Sequence, residues 1–509
     1  MNIKDLLVPL TLALVVTFGL QYYLSKKVES DSGTPSSGQV YDIKHEPEAF
    51  KPLKWSIDFI DKKDKEAQLM QVETEYGVLT FSTAGAALDK VELKHNAELL
   101  TFVDAHARLD KALIVAFEEE TPYYFSLVDR KETDDDVILH YHRSFSSGKI
   151  DKIFTINRKV PKVDLTIKLD VPKDYKPTKK MRIFYPAPHI NDKGQELTSF
   201  VNDQYNPQSL TLYRKQKEFL HRSWHTPTMF GLADRFFVNA MMRDEGQFIY
   251  RGAFNQPDVT HVMVAQLESN EIKESGEWSL SFYFGPKQLS LMKAVDPRLE
   301  KVLDFGIWGF FAKLILQALN LIDSYVRNYG LSIILLTLFL KLLLMPFTLK
   351  GQQGLAKTAE MERKRSYLKQ KYRNDPERLK QEQAELLRKH GVGGMLGGCL
   401  PMLLQIPIFF SLNMLLRNSV ELYNAKFLWI KNLAHPDPLY ILPLIAGVLF
   451  LLHSQSMKAT AGKSQISSYA FALLIGAMMA GFPAGVVLFV ATMSAISVLE
   501  AQLKPKKSK

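Results

Sequence analysis

Residues 331–349 read LSIILLTLFLKLLLMPFTL, nineteen positions that are almost all apolar. At ~1.5 Å of rise per residue, a helix of that length crosses the ~30 Å hydrocarbon core of a bilayer. Lys341 interrupts it. A lysine near the centre of a spanning helix costs roughly 2.5–3.5 kcal/mol on insertion scales, so such a side chain faces a bundle interior or a watery cavity. The nearer end, Leu349, is about 12 Å away along the axis, further than a lysine stem of roughly 6 Å reaches by snorkelling. At ~100° per residue, Thr337 and Thr348 fall within about 40° of Lys341, which gives one face hydroxyl, ammonium and hydroxyl. The reading is a spanning helix with a polar face that lines a cavity; a structural ion pair is the simpler alternative.

The segments on either side extend this pattern. Residues 301–327 carry Lys313, Gln317, Asn320, Ser324 and Arg327 as one polar stripe on an apolar helix, which suits a helix lying in the membrane interface. Residues 350–390 hold twelve Lys or Arg against six acids. They read as a cytoplasmic helical hairpin over 350–391, with Asp375 capping, Pro376 in the first turn of the second arm and Gly391 ending it. Further spans are expected at about 396–416, 439–454, 465–481 and 484–501, followed by a basic tail, 504–509. Gln405 in mid-span marks either a neighbouring helix or a cavity. Ala461-Gly462-Lys463-Ser464 imitates a phosphate-binding loop, but Met457 stands where the earlier glycine is required.

Ahead of this lies a different kind of chain. Leu6 to Leu24 is an apolar run with no A-x-A-like cleavage site after it, read here as an uncleaved anchor over 1–27. Residues 28–54 read as a flexible linker. From 55 to 300 the pattern is β, with runs at 76–83, 112–117, 137–143, 152–160, 163–171, 261–267 and 278–285 between turn residues. A large antiparallel β-sandwich follows. His140 and His142 alternate on one strand and read as solvated. His221 and His225 are weak metal ligands with no carboxylate partner, and no catalytic motif, metal set or cofactor set stands out. Mean hydropathy of −0.09 averages these two unlike halves. The formal charge of +10 favours anionic partners, and the lone Cys399 excludes an internal disulfide. The positive blocks place both termini and the hairpin inside and the β region outside, with Lys26 and Lys27 as the exception.

The ordered strings Asn328-Tyr329-Gly330-Leu331-Ser332-Ile333-Ile334, Pro346-Phe347-Thr348, Gly397-Gly398-Cys399-Leu400-Pro401, Gln405-Ile406-Pro407-Ile408-Phe409, Ser419-Val420-Glu421-Leu422, Asp437-Pro438-Leu439-Tyr440-Ile441-Leu442-Pro443 and Phe482-Pro483-Ala484-Gly485 resemble the YidC family of membrane protein insertases. Gly285-Pro286-Lys287 closes the β region as in the Gram-negative form with a large periplasmic domain. The resemblance implies a multi-pass α-helical membrane protein of the bacterial inner membrane: an N-terminal anchor plus a five-helix core over 328–503, with an all-β periplasmic supersandwich. It also implies a hydrophilic groove, open to cytoplasm and lipid, with one positive side chain. Arginine is usual there; Lys341 keeps the charge without the bidentate fork. Thr337 and Gln405 match other groove positions. Two departures stand out: Gly394-Met395 replaces an Asn-Pro, and Phe489-Val490 replaces a tyrosine pair.

The function implied is insertion and chaperoning of nascent membrane proteins, alone or with the Sec translocon, with no covalent step, cofactor or metal. Phe409, Phe489 and Val490 are expected on a lipid-facing slide. Arg363, Lys364, Arg365 and Arg373 are expected to recruit the ribosome together with the tail; lipids are partners and DNA is not. The alternative is a secondary transporter of an anionic solute, which calls for internal repeats that the spans lack.

Overall fold

The computed structural model describes residues 40–42 and 67–503, with breaks at 96–97, 105–110, 118–122, 146–147, 173–179, 189–196, 203–208, 221, 257–261, 304, 306–307, 462–472 and 475. The expected anchor, the tail, His221 and much of the fourth expected span therefore lie outside the described residues. Two compact units meet in sequence at Asp304 and Phe305.

The first unit is mainly antiparallel β, with short helices at Gln216–Phe219, Leu289–Val295 and Pro297–Val302. Its nine-stranded sheet runs, in spatial order, Leu210–Tyr213, Thr198–Asn202, Met229–Ala233, Phe237–Asp244, Gly276–Pro286, Lys162–Asp170, Gly148–Asn157, Asp136–Phe145 and Ser126–Glu132. A six-stranded sheet contains Val40–Asp42, Arg222–His225, Ile249–Asn255, Val264–Glu271, Lys180–Pro186 and Ile114–Phe117. A four-stranded sheet covers Leu69–Glu73 to Glu98–Asp104. The expected linker thus includes one strand, Val40–Asp42, paired with Arg222–His225.

Strands form where polar and apolar residues alternate. In Lys162–Asp170, Val163, Leu165, Ile167 and Leu169 all turn inward and are buried. Aromatic contacts join the sheets: Phe254 of the six-stranded sheet stacks on Phe230 of the nine-stranded one with centroids 4.1 Å apart. The Tyr185 hydroxyl donates to the Phe230 carbonyl at 2.7 Å, and Phe102 of the four-stranded sheet stacks on Phe237 at 4.4 Å.

One polar exception inside this unit is satisfied by nearby backbone. Lys152 shares strand parity with Ile150, Phe154 and Ile156, so it points into the core. Its ammonium donates to the carbonyls of Gly85, Ala86 and Leu113 at 3.0, 2.5 and 2.7 Å. All three acceptors have positive φ, so the lysine holds two turns in the left-handed region. Burial drives its pKa well below the usual lysine range. The expectation of solvated histidines is corrected: His140 and His142 both bond Asp151 Oδ1 across the strand pair, at 2.8 and 3.0 Å.

Two outcomes follow for this unit. Lys152→Met keeps the bulk but leaves three buried carbonyls without their donor, and chemical unfolding is expected to report a loss of about 2–4 kcal/mol. Asp234 has its carboxyl pushed up to about 6 by burial, against the amides of Phe237 and Phe236 and the charges of Lys287 and Arg235. A raised carboxyl means the folded state holds its proton longer. Stability of the β unit should therefore fall as pH rises from the ordinary carboxylate range toward 6, by up to about 3 kcal/mol. Asp234→Asn should flatten that part of a calorimetric pH series.

The second unit is helical. Its helices are α1 (Gly309–Val326), α2 (Tyr329–Lys371), α3 (Pro376–Asn418), α4 (Ile441–Ala461) and α5 (Ala484–Leu503). The first hairpin arm and the first expected span are one helix, as are the second arm and the second span. Gly391 does not stop α3, which continues through it to Asn418 and also through Pro401 and Pro407. A glycine inside a helix costs only about 1 kcal/mol relative to alanine, too little to end a helix that continues into the apolar stretch beyond it. Asp375 does cap α3, accepting from the Arg378 amide at 3.1 Å, with Pro376 in the first turn.

Candidate functional site

The ends of the helices away from the charged hairpin are pinned by side chains that the sequence motifs supply. Asn328 caps α2 by accepting from the Leu331 amide at 3.1 Å. Gly330 follows because the Phe427 ring lies where a Cβ would project. Asp437, buried, caps α4 through the Leu442 amide at 2.8 Å and accepts from Trp429 Nε1 at 3.2 Å. Gly485 lets α5 approach α2 at Ile333 and α3 at Leu416. Between α3 and α4, Glu421 is buried beside the Ser419 hydroxyl, and burial raises its pKa.

Thirteen residues into this framed helix, Lys341 is 7% exposed. Its Nζ donates to Ser497 Oγ of α5 at 2.9 Å and pairs with Glu500 Oε2 at 3.2 Å. Ser497 in turn donates to the Met493 carbonyl at 2.9 Å. His453 of α4 stands against the Ser497 backbone carbonyl, its Nδ1 buried without a hydrogen-bond partner. Lysine, serine, glutamate and histidine from three helices thus meet at one depth. A lone ammonium is not tolerated in such surroundings, and the carboxylate meets that demand.

Of the residues expected around the lysine, Thr337 is fully buried one turn earlier, but its hydroxyl donates to the Ile333 carbonyl of its own helix at 2.6 Å. Gln405 is half-buried on α3. The side chain of Thr348 lies outside the described residues. On the expected slide, Phe409 is half-buried and its ring meets Phe410 and Phe482, and Val490 is half-buried. Phe489 is corrected: it is 1% exposed and packed inside the helical unit, on a helix that Gly485 lets come close to Ile333 and Leu416.

Sequence reading missed Ser497, His453 and Glu500. A signal existed, since Glu500 is the only acidic residue after Asp437 and sits inside an apolar run, as Lys341 does. Arg363, Lys364, Arg365 and Arg373 are exposed on the hairpin, Arg373 at its turn. They begin about 33 Å along α2 from Lys341 and form a separate place. There a cavity of about 220 Å³ lies between the arms, lined by Lys364, Tyr367, Leu368, Glu382, Glu385 and Leu386. Among the described residues no cluster of His, Cys, Asp or Glu fits a metal.

The outward surfaces of the same helices are apolar. Leu335, Phe339, Leu342 and Leu343 on α2 are 43, 56, 60 and 59% exposed, and Leu444 and Val448 on α4 are exposed as well. Tyr329–Pro346 is the stretch among the described residues long and apolar enough to cross a membrane, with shorter apolar helices at Pro407–Leu416, Ile441–His453 and Ala484–Glu500.

Gly330→Ala tests the framing. The added methyl must displace Phe427, and overpacking of this kind costs about 1–3 kcal/mol. Heat resistance of the detergent-solubilised protein, followed by protease protection, should drop, and Phe427→Leu in the same chain should restore part of it.

Two family models match: the 60Kd inner membrane protein over residues 321–509 and the YidC periplasmic domain over 195–318, together more than half of the chain. Relatives named membrane protein insertase YidC include that of Geobacter metallireducens, 31% identical over 283 residues that make up 55% of this chain and 53% of that one. The Helicobacter pylori relative is 37% identical over 45% of this chain and 42% of its own length. The Syntrophus aciditrophicus relative is 27% identical over 84% of this chain and 83% of its own length. The chain spans about half the length of the first two. With matches to both the membrane unit and the periplasmic domain, and with a buried cation inside apolar helices, the chain belongs to the YidC family.

Proposed function

We propose that this chain is a membrane protein insertase and chaperone of the bacterial inner membrane. It receives hydrophilic segments of nascent inner-membrane proteins beside Lys341 and releases their apolar segments into lipid, alone or with the Sec translocon. One observation carries the reading: a lysine is buried, with polar partners, inside a helix whose outer flank is exposed leucine and phenylalanine. A soluble protein does not leave so large an apolar surface bare. The relatives' names point the same way.

The physics of the step is dehydration. A polar tail entering hydrocarbon loses its water, and each unsatisfied backbone group costs several kcal/mol. Lys341 lies about 18 Å from the start of α2, so polar groups at that depth shorten the dry part of the path. No nucleotide is needed, because partition of the apolar segment into lipid drives release. In this reading the chain is multi-pass, with an N-terminal anchor, both termini and the hairpin cytoplasmic, and the β unit periplasmic. The arms of α2 and α3, with the basic tail, meet the ribosome. Helix α1 supports an in-plane position: Ala312, Ile315, Leu316 and Leu319 are buried, while Phe310, Leu314, Leu321 and Tyr325 are exposed.

The experiment replaces Lys341 by Arg, Ala and Glu and measures insertion of acidic-tailed substrates at matched protein level. Arginine should retain activity. Alanine should lose roughly tenfold, the factor that about 1.4 kcal/mol of charge attraction supplies, and glutamate should lose more. A glutamate variant as active as the parent would end the idea that the charge meets the substrate.

A further inference from the structure

The ammonium on which that reading depends is already engaged. Glu500 holds it from α5, a helix of its own with no part in the hairpin. The two ends of the pair differ in access: the lysine side chain is 9% exposed and the glutamate 25%. Glu500 stands three residues before the last residue of α5, and the sequence beyond Leu503 brings Lys504, Lys506, Lys507 and Lys509. A carboxylate in that position can turn toward the end of its helix and find other cations nearby in sequence. Lys341, thirteen residues into α2 with thirty more helical residues after it, has no comparable way out. The partner that can leave is therefore the glutamate.

We propose that Glu500 is the built-in counter-ion of the groove, pairing with Lys341 when the groove is empty and exchanging with an acidic side chain of the incoming polypeptide. This deepens the insertase reading and rests on it. An unpaired ammonium at this depth would be costly, so the empty protein needs an anion of its own. Exchange of one carboxylate for another keeps the lysine paired throughout and leaves Ser497 Oγ as its second acceptor. A neutral tail has nothing to offer in return: it either leaves the pair closed or strips the lysine without replacement. Selection for acidic segments then arises from exchange, and the internal pair sets its threshold. Capture is weakened by whatever fraction of the protein holds the pair closed, so a pair closed nine times in ten weakens it roughly tenfold. Among the described residues His453 of α4 is a further titratable group facing the cluster, beside Ser497.

The test uses full-length protein in its membrane and ribosome-stalled nascent chains whose tails carry a photoreactive residue beside a single Asp or, as control, Asn. Crosslink yield to the parent is compared with yields to Glu500→Gln and Glu500→Asp at equal protein level. The parent should prefer Asp to Asn. Glu500→Gln should raise capture of the Asp tail about five- to tenfold, and the Asp-to-Asn ratio with it. Glu500→Asp, whose shorter arm weakens the pair without removing it, should move both the same way by less, and it decides the matter alone if the Gln variant does not accumulate. Yields for both tails that stay level or fall together would make Glu500 a clamp between α2 and α5 and overturn the exchange, while the parent's own crosslinks keep the insertase reading standing. A parent that crosslinks to neither tail would overturn both.

Discussion

A charge placed inside hydrocarbon has to be answered by another group of the same chain, and the helical unit is arranged around that requirement. Lys341 belongs to a helix whose remaining surface is leucine, isoleucine and phenylalanine, and it is answered by Ser497 and Glu500 from a helix more than 150 positions later. Bringing those elements together needs close backbone approach, which Gly485 permits where α5 meets α2 and α3. It also needs the ends away from the hairpin to be fixed in register, which Asn328, Phe427 and Asp437 accomplish. The motifs that look scattered along the sequence are thus largely the fittings of one polar junction. Asn328, Gly330, Asp437 and Gly485 shape helix ends and contacts; chemistry at the lysine comes from residues outside those strings.

The β unit meets the same requirement by other means. Where the membrane helices answer a lysine with a carboxylate, the sandwich answers Lys152 with three carbonyls of strained turns. A buried cation is in one unit a constraint on turn geometry and in the other a constraint on helix pairing.

Much of this was legible in the sequence, and the limits have physical causes. Alternation gave runs such as 137–143, 152–160 and 163–171, because inward and outward faces differ strongly there, and β-rich composition gave others such as 112–117. Strands buried on both sides, such as Met229–Ala233 and Phe237–Asp244, carry no alternation and escaped notice. The hairpin turn was readable because Asp375-Pro376 is a local signal. The end assigned to Gly391 was wrong because one glycine costs a helix interior only about 1 kcal/mol, and α3 runs on to Asn418. Lys341 was visible by itself as a misfit in an apolar run. Its partner was not, since pairing between α2 and α5 is set by packing over a long sequence separation. The outward placing of Phe489 failed for the same reason, because helix periodicity gives a face but not the neighbour it meets.

One feature of α2 and α3 has a mechanical side. Each runs 43 residues without a break, about 64 Å, between the Asn328 or Ser419 end and the turn of the charged hairpin. A joint of loop at the level of the bilayer surface would absorb a load applied at the tip; an unbroken rod conducts it. The places where each rod is softest are its prolines, Pro346 in α2 and Pro401 and Pro407 in α3, where a rung of the backbone ladder is missing. Pro346 is five residues from Lys341, and Pro401 and Pro407 flank Gln405. Torque delivered at the tip of the arms would therefore emerge as bending beside the buried cation.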